Sequence, residues 1–174
     1  MKTLSLVECV ELKFSGNILK NAICLGDCDN DGFSELILGS SNGDLAIYRD
    51  GKCICASSEL GSIAAIAVGD LLNVGKNFLV VVTIEGWCHI FDVEGETTSS
   101  QKQDDSEGSL QFSPEYFVIS PFHSQRIPPN TKTLHLGDVN QDGLTEMIVG
   151  LTDRVLRTYQ WQKDPVSNKI RKIR

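Results

Sequence analysis

Three stretches of the chain superpose on one another without a gap, and a repeat of this length restricts the fold more than any single motif does, because it implies a solenoid or a propeller. Residues 22–27, 65–70 and 133–138 are each an apolar or alternating run that ends in Gly-Asp, at Asp27, Asp70 and Asp138. Five residues after each Asp stands a glycine, Gly32, Gly75 or Gly143, and a strand-like run follows at 35–38, 78–82 and 146–149. Twenty-one residues after each Asp stands an aromatic: Tyr48, Phe91 and Tyr159. Between the second run and that aromatic lie Asn42-Gly43, Glu85-Gly86 and Asp153-Arg154, of which Asn-Gly is a strong hairpin signal, since both residues tolerate positive φ. Each unit therefore reads as strand, acidic loop, strand, tight turn, strand.

Residues 52–56 and 116–119 suggest a fourth strand for the first two units, and four antiparallel strands make a propeller blade. Asp27 and Asp70 stand 43 residues apart, which is one blade; Asp70 and Asp138 stand 68 apart, and the surplus is placed in the Ser-, Thr- and acid-rich residues 94–114. The expected class is all-β, with blades at 20–60, 61–120 (carrying the disordered insertion 94–114) and 130–164. Residues 4–14 are expected as an outer strand, and 165–174 as a solvated basic tail.

The loops carry the chemistry. In the first, Asp27, Asp29 and Asp31 occupy positions 1, 3 and 5, Gly32 permits the turn, Phe33 offers a backbone carbonyl at position 7, and Glu35 adds a carboxylate at position 9. Hard oxygens so spaced suit Ca²⁺. An EF-hand is excluded, because its position 12 is Leu38 and no helix flanks the loop. The third loop keeps the scheme with Asp138, Asn140, Asp142, Leu144 and Glu146, one charge weaker. The second keeps Asp70 and Gly75 and has lost the other ligands. Structural Ca²⁺ is expected at the first and third loops; the competing reading is that the acids merely cap backbone amides of the turn.

A net charge of -7 argues against nucleic-acid binding, which needs clustered Lys and Arg. The six cysteines (Cys9, Cys24, Cys28, Cys53, Cys55, Cys88) lack zinc spacing and read as free core thiols. Glu8 interrupts the apolar start where a signal peptide would continue, and no Asn-x-Ser/Thr acceptor occurs, so a cytoplasmic address is expected over an adhesion or lectin-like propeller of the cell surface. No enzyme is expected. The Gly39-Ser40-Ser41-Asn42-Gly43 match to a nucleophile elbow lacks its helix, and His89, His123 and His135 spell no ligand cluster.

The repeated Gly-Asp-x-Asp-x-Asp-Gly-x-x-Glu-Leu between strands resembles the FG-GAP repeats of the integrin α-subunit propeller, a seven-bladed ring that carries Ca²⁺ loops. Residues 22–27, 74–77, 85–92 and 152–155 resemble more closely the branch of this family that serves in the lysosome-associated KICSTOR complex, with similarity from about residue 5 to Trp161. The resemblance implies about three four-stranded blades of a larger ring. It also implies a scaffold, recruited to the lysosomal surface with other KICSTOR subunits, that helps hold the GATOR complex there and restrains TOR signalling when amino acids are scarce.

Overall fold

The computed structural model describes residues 11–94, 116–163 and 170–172. β1 (Ile18–Gly26), β2 (Glu35–Ser40), β3 (Leu45–Arg49) and β4 (Lys52–Ser57) form an antiparallel meander, the first blade. The second is β5 (Ile63–Gly69), β6 (Phe78–Thr83) and β7 (Trp87–Phe91); after β8 (Phe117–Val118), β9 (His123–Arg126) completes it by pairing with β7. The third contains β10 (Thr131–Gly137), β11 (Glu146–Leu151) and β12 (Leu156–Tyr159), and is followed by a hairpin of β13 (Trp161–Lys163) and β14 (Ile170–Lys172).

The two inner strands β1 and β5 meet in parallel at Asn21 and Ala65, so the first two blades join into one curled sheet in the order β8-β4-β3-β2-β1-β5-β6-β7-β9. Alternation within each strand sends successive side chains to opposite neighbours. Ile37, Leu45 and Ile47 of the first blade pack with Ile63, Leu79, Val81 and Phe91 of the second. The opposite face of the second blade, with Ala65, Val80, Val82 and Ile90, packs on Leu134, Met147, Val149 and Tyr159 of the third. Both faces of β6 are thus covered, which is why it reads as the unbroken apolar run Phe78-Leu79-Val80-Val81-Val82.

Three expectations are corrected. Residues 116–119 do not close the second blade: β8 runs parallel to β4, pairing Cys55 with Phe117, and the Ile119 N–H donates to the Ala56 carbonyl at 2.9 Å. Ile119 is drawn into the core between the first two blades, while the polar His123-Ser124-Gln125-Arg126 suits the solvent-facing outer position. Residues 11–15 form no strand; Leu12 and Phe14 pack on Leu38, Ala46 and Tyr48, and the Tyr48 hydroxyl donates to the Lys13 carbonyl at 2.7 Å. Within the tail, residues 170–172 are a paired strand, and Ile170 packs against the core that holds Trp161. The remainder of the 4–14 strand and all but residue 94 of the 94–114 insertion lie outside the described residues.

Candidate functional site

One device builds all three loops. The Asp at position 1 accepts the backbone N–H groups of positions 5 and 6: Asp27 from Asp31 and Gly32 (3.1 and 3.0 Å), Asp70 from Val74 and Gly75 (2.9 and 2.7 Å), Asp138 from Asp142 and Gly143 (3.2 and 2.8 Å). The glycine is needed because position 6 sits at φ 91°, 74° and 83°. These two residues suffice for the turn, which explains why the second loop keeps them after losing its other carboxylates.

The carboxylate at position 9 is buried and closes the loop from below. Glu35 accepts the Cys28 N–H at 3.0 Å, and Glu146 accepts the Val139 N–H at 2.9 Å. Phe78 stands there in the second blade, where the Leu71 N–H turns to the Gly69 carbonyl instead (2.9 Å).

Ligand atoms of Asp27, Asp29 and Glu35 do converge, all lying within 4.8 Å of one another. Two of these acids, with Asp31, also meet Arg49, at the end of β3. Its guanidinium lies 2.7 Å from Asp29, 2.9 Å from Asp31 and 2.5 Å from Glu35. Charge-assisted bonds of this fork geometry are strong, and they hold the guanidinium pKa above its ordinary value, the bond to Glu35 contributing most. Asp29 Oδ1 is buried without a hydrogen-bond partner, and burial raises the Asp29 carboxyl despite the Arg49 bond. Arg49 thus neutralises part of the charge that a divalent cation would meet at the first loop.

In the third loop Asn140 accepts the Asp142 N–H through its Oδ1 and donates from Nδ2 to Asp142 Oδ2, while Asp142 Oδ1 accepts the Leu144 N–H. Gln160 occupies the position equivalent to Arg49, and among the described residues no ion pair to Asp138, Asp142 or Glu146 is seen.

Sequence reasoning missed the clasp at position 4. Asn30, at φ 64°, accepts the Asn77 N–H (2.7 Å) and donates to the Asn77 carbonyl (3.2 Å); Asn73, at φ 56°, does the same to Thr145 (2.6 and 3.3 Å). In the first two loops position 4 thereby grips position 8 of the next blade. Superposing the loops shows Asn30, Asn73 and Gln141 in register, but nothing local marks them as contacts across 47 or 72 residues.

A family model for integrin-alpha FG-GAP repeat-containing protein 2 matches residues 47–173. The chain belongs to this family. Two relatives named KICSTOR complex protein ITFG2 are each 38% identical to it: that of Mus musculus over 169 residues (94% of this chain, 36% of its own), that of Bos taurus over 164 (93% and 30%). The chain thus spans about a third of the length of the curated relatives it matches. Among solved structures, two crystal structures of BBS1N in complex with ARL6DN, soaked with lead and with mercury, align at TM-scores 0.55 and 0.53 with 12% and 14% identity. They cover 90% and 91% of this chain and 43% and 40% of theirs; at such identity the likeness shows the fold alone, a β-propeller.

The FG-GAP framework accounts for the remaining candidates. Ser41 sits in the β2–β3 hairpin turn, its N–H donating to the Asn17 carbonyl at 2.8 Å, and a strand follows where an elbow needs a helix. His89 is buried between the Leu60 carbonyl (3.1 Å) and the Ser124 hydroxyl (2.8 Å). Trp87 is covered by the Arg126 guanidinium, 4.7 Å from its ring centroid. Cys28 and Cys88 are buried free thiols; burial pushes both upward, Cys88 to about 12.

Proposed function

We propose that this chain is the propeller portion of a KICSTOR-type subunit, a non-catalytic scaffold whose blades present protein-binding surfaces. The observation that carries this reading is 38% identity, running through all three blades, to relatives named as KICSTOR complex proteins. Its partners would be other KICSTOR subunits and the GATOR complex, and its work the retention of GATOR at the lysosomal surface, from the cytoplasmic side, so that TOR signalling falls when amino acids are scarce. The test is co-purification of the tagged full-length protein with KICSTOR subunits, and imaging of GATOR after its deletion. GATOR leaving the lysosome and TOR signalling persisting in starved cells are the expected results; no co-purification and unchanged GATOR placement would refute the reading.

We propose likewise, from its spacing, that the third loop takes a structural Ca²⁺ on Asp138, Asn140, Asp142, the Leu144 carbonyl and Glu146. The ion would supply neutralising charge and stabilise the folded blade by mass action. A melting temperature that rises with Ca²⁺ in the parent and not in Asp138→Asn/Asp142→Asn checks this.

A further inference from the structure

Each repeat places one residue directly after its aromatic, where the third strand of the blade ends beneath the loop: Arg49, Asp92 and Gln160. In the first blade an anionic loop meets a cation, with Arg49 on Asp29, Asp31 and Glu35. In the second the signs are exchanged. Lys76, at position 7 of the loop, reaches Asp92 at 2.8 Å and Glu94 at 3.0 Å. In the third the residue is the neutral Gln160, which lines a cavity of about 120 Å³ with Val139, Asn140, Glu146 and Thr158. Loop and strand end therefore change charge together in the two blades that carry a charged residue here.

Arg49 is also fixed from behind. It is followed at once by the two-residue turn Asp50-Gly51, both at positive φ (49° and 77°), and preceded by a bulge between Ile47 and Tyr48. The irregularity leaves Ile54 of β4 without a partner across the ladder, so turn and register shift together fix the backbone on which Arg49 stands.

We propose that Arg49 is the built-in cation of the first loop, standing where a divalent ion would be held, so that this loop is set without metal. A guanidinium stays charged at every physiological pH and supplies donors in a planar fork, which lets one side chain serve three carboxylates. A divalent ion seated among Asp29, Asp31 and Glu35 would compete with that fork for all three acids. Of the two loops whose acids keep the 1-3-5-9 spacing, only the third would then respond to Ca²⁺.

Calorimetric titration of Ca²⁺ into the full-length protein tests this, using the parent, Asp29→Asn, Arg49→Gln and the double variant. Arg49→Gln gives the first loop the side chain of the third. The expected result is one more Ca²⁺ per chain in Arg49→Gln than in the parent, loss of that gain on adding Asp29→Asn, and no change in stoichiometry when Asp29→Asn is made alone. A drop of one site in Asp29→Asn alone would overturn the proposal, because the ion then enters with Arg49 present. So would a folded Arg49→Gln that gains no site. Should Arg49→Gln fail to fold, the parent and Asp29→Asn still decide: equal stoichiometry supports the proposal, and a lost site ends it.

Discussion

Glu35 and Glu146 hold the same place in their blades and are not worth the same. Both accept a position-2 N–H, but Glu35 also carries Arg49. A hydrogen bond to a charged group contributes roughly 1.5–3 kcal/mol, so Glu146→Ala should cost about that much. Glu35→Ala should cost more, about 3–5 kcal/mol, the ion pair being discounted because Arg49 is one-third exposed. Urea denaturation of the two variants measures the difference. His89 gives a pH signature. Burial lowers its pKa below the ordinary 6.5, against the Leu60 carbonyl bond, which favours the proton. The unfolded chain therefore takes up a proton first as pH falls, so stability is flat above about pH 6.5 and declines below it, down to the folded-state value. His89→Gln should flatten that slope below about pH 6.5. At this scale the carboxylates were legible, because their 1-3-5-9 spacing is local. Arg49 was not, since its bonds to Asp29 and Glu35 span 20 and 14 residues and exist only once β3 folds back beside β2.

Strands and turns were the most legible level wherever a repeat could vouch for them. β1 to β3, β5 to β7 and β10 to β12 fall on the superposed runs, and their hairpins on the Gly-containing turns or Asp153-Arg154. Residues 116–119 misled because an apolar β-prone run has two uses in a propeller, outer strand or inter-blade filler, and local pattern does not separate them. Burial does: Ile119 is 2% exposed, whereas β9 alternates half-buried and exposed side chains. The close approach of blades yields a prediction at Gly39, on the face of β2 that meets the second blade. A Cβ there would stand 2.5 Å from Ile63 Cγ2 and 3.0 Å from Ile66 Cδ1. Overpacking of this kind typically costs about 1–3 kcal/mol, so Gly39→Ala should lower the stability measured by urea denaturation by about that amount.

Blade joins to blade by one rule used twice. The glycine before each loop Asp receives the side chain at the equivalent of Leu25 in the following blade: a Cβ on Gly26 would meet Val68, and one on Gly69 would meet Leu136. Asn30 and Asn73 then clasp position 8 of that same blade. At the two ends of the described arc the halves of this joint stand open. Gly137 has no atom within 4 Å of an added Cβ, and Val139 and Leu156 are 56% and 68% exposed; at the other end Leu25 is 72% and Ile23 49% exposed. Knob and socket thus face outward at opposite ends, which is the arrangement for head-to-tail addition of another blade of the same type, in the same chain or in a second copy. A polypeptide of these 174 residues expressed alone should therefore associate with itself as concentration rises. Native mass spectrometry with small-angle scattering would record it, and Leu25→Ser, which removes the knob while leaving the loops intact, should shift the population toward monomer. A compact monomer at every concentration, unchanged by Leu25→Ser, would mean that the joint does not act outside the arc in which it is seen.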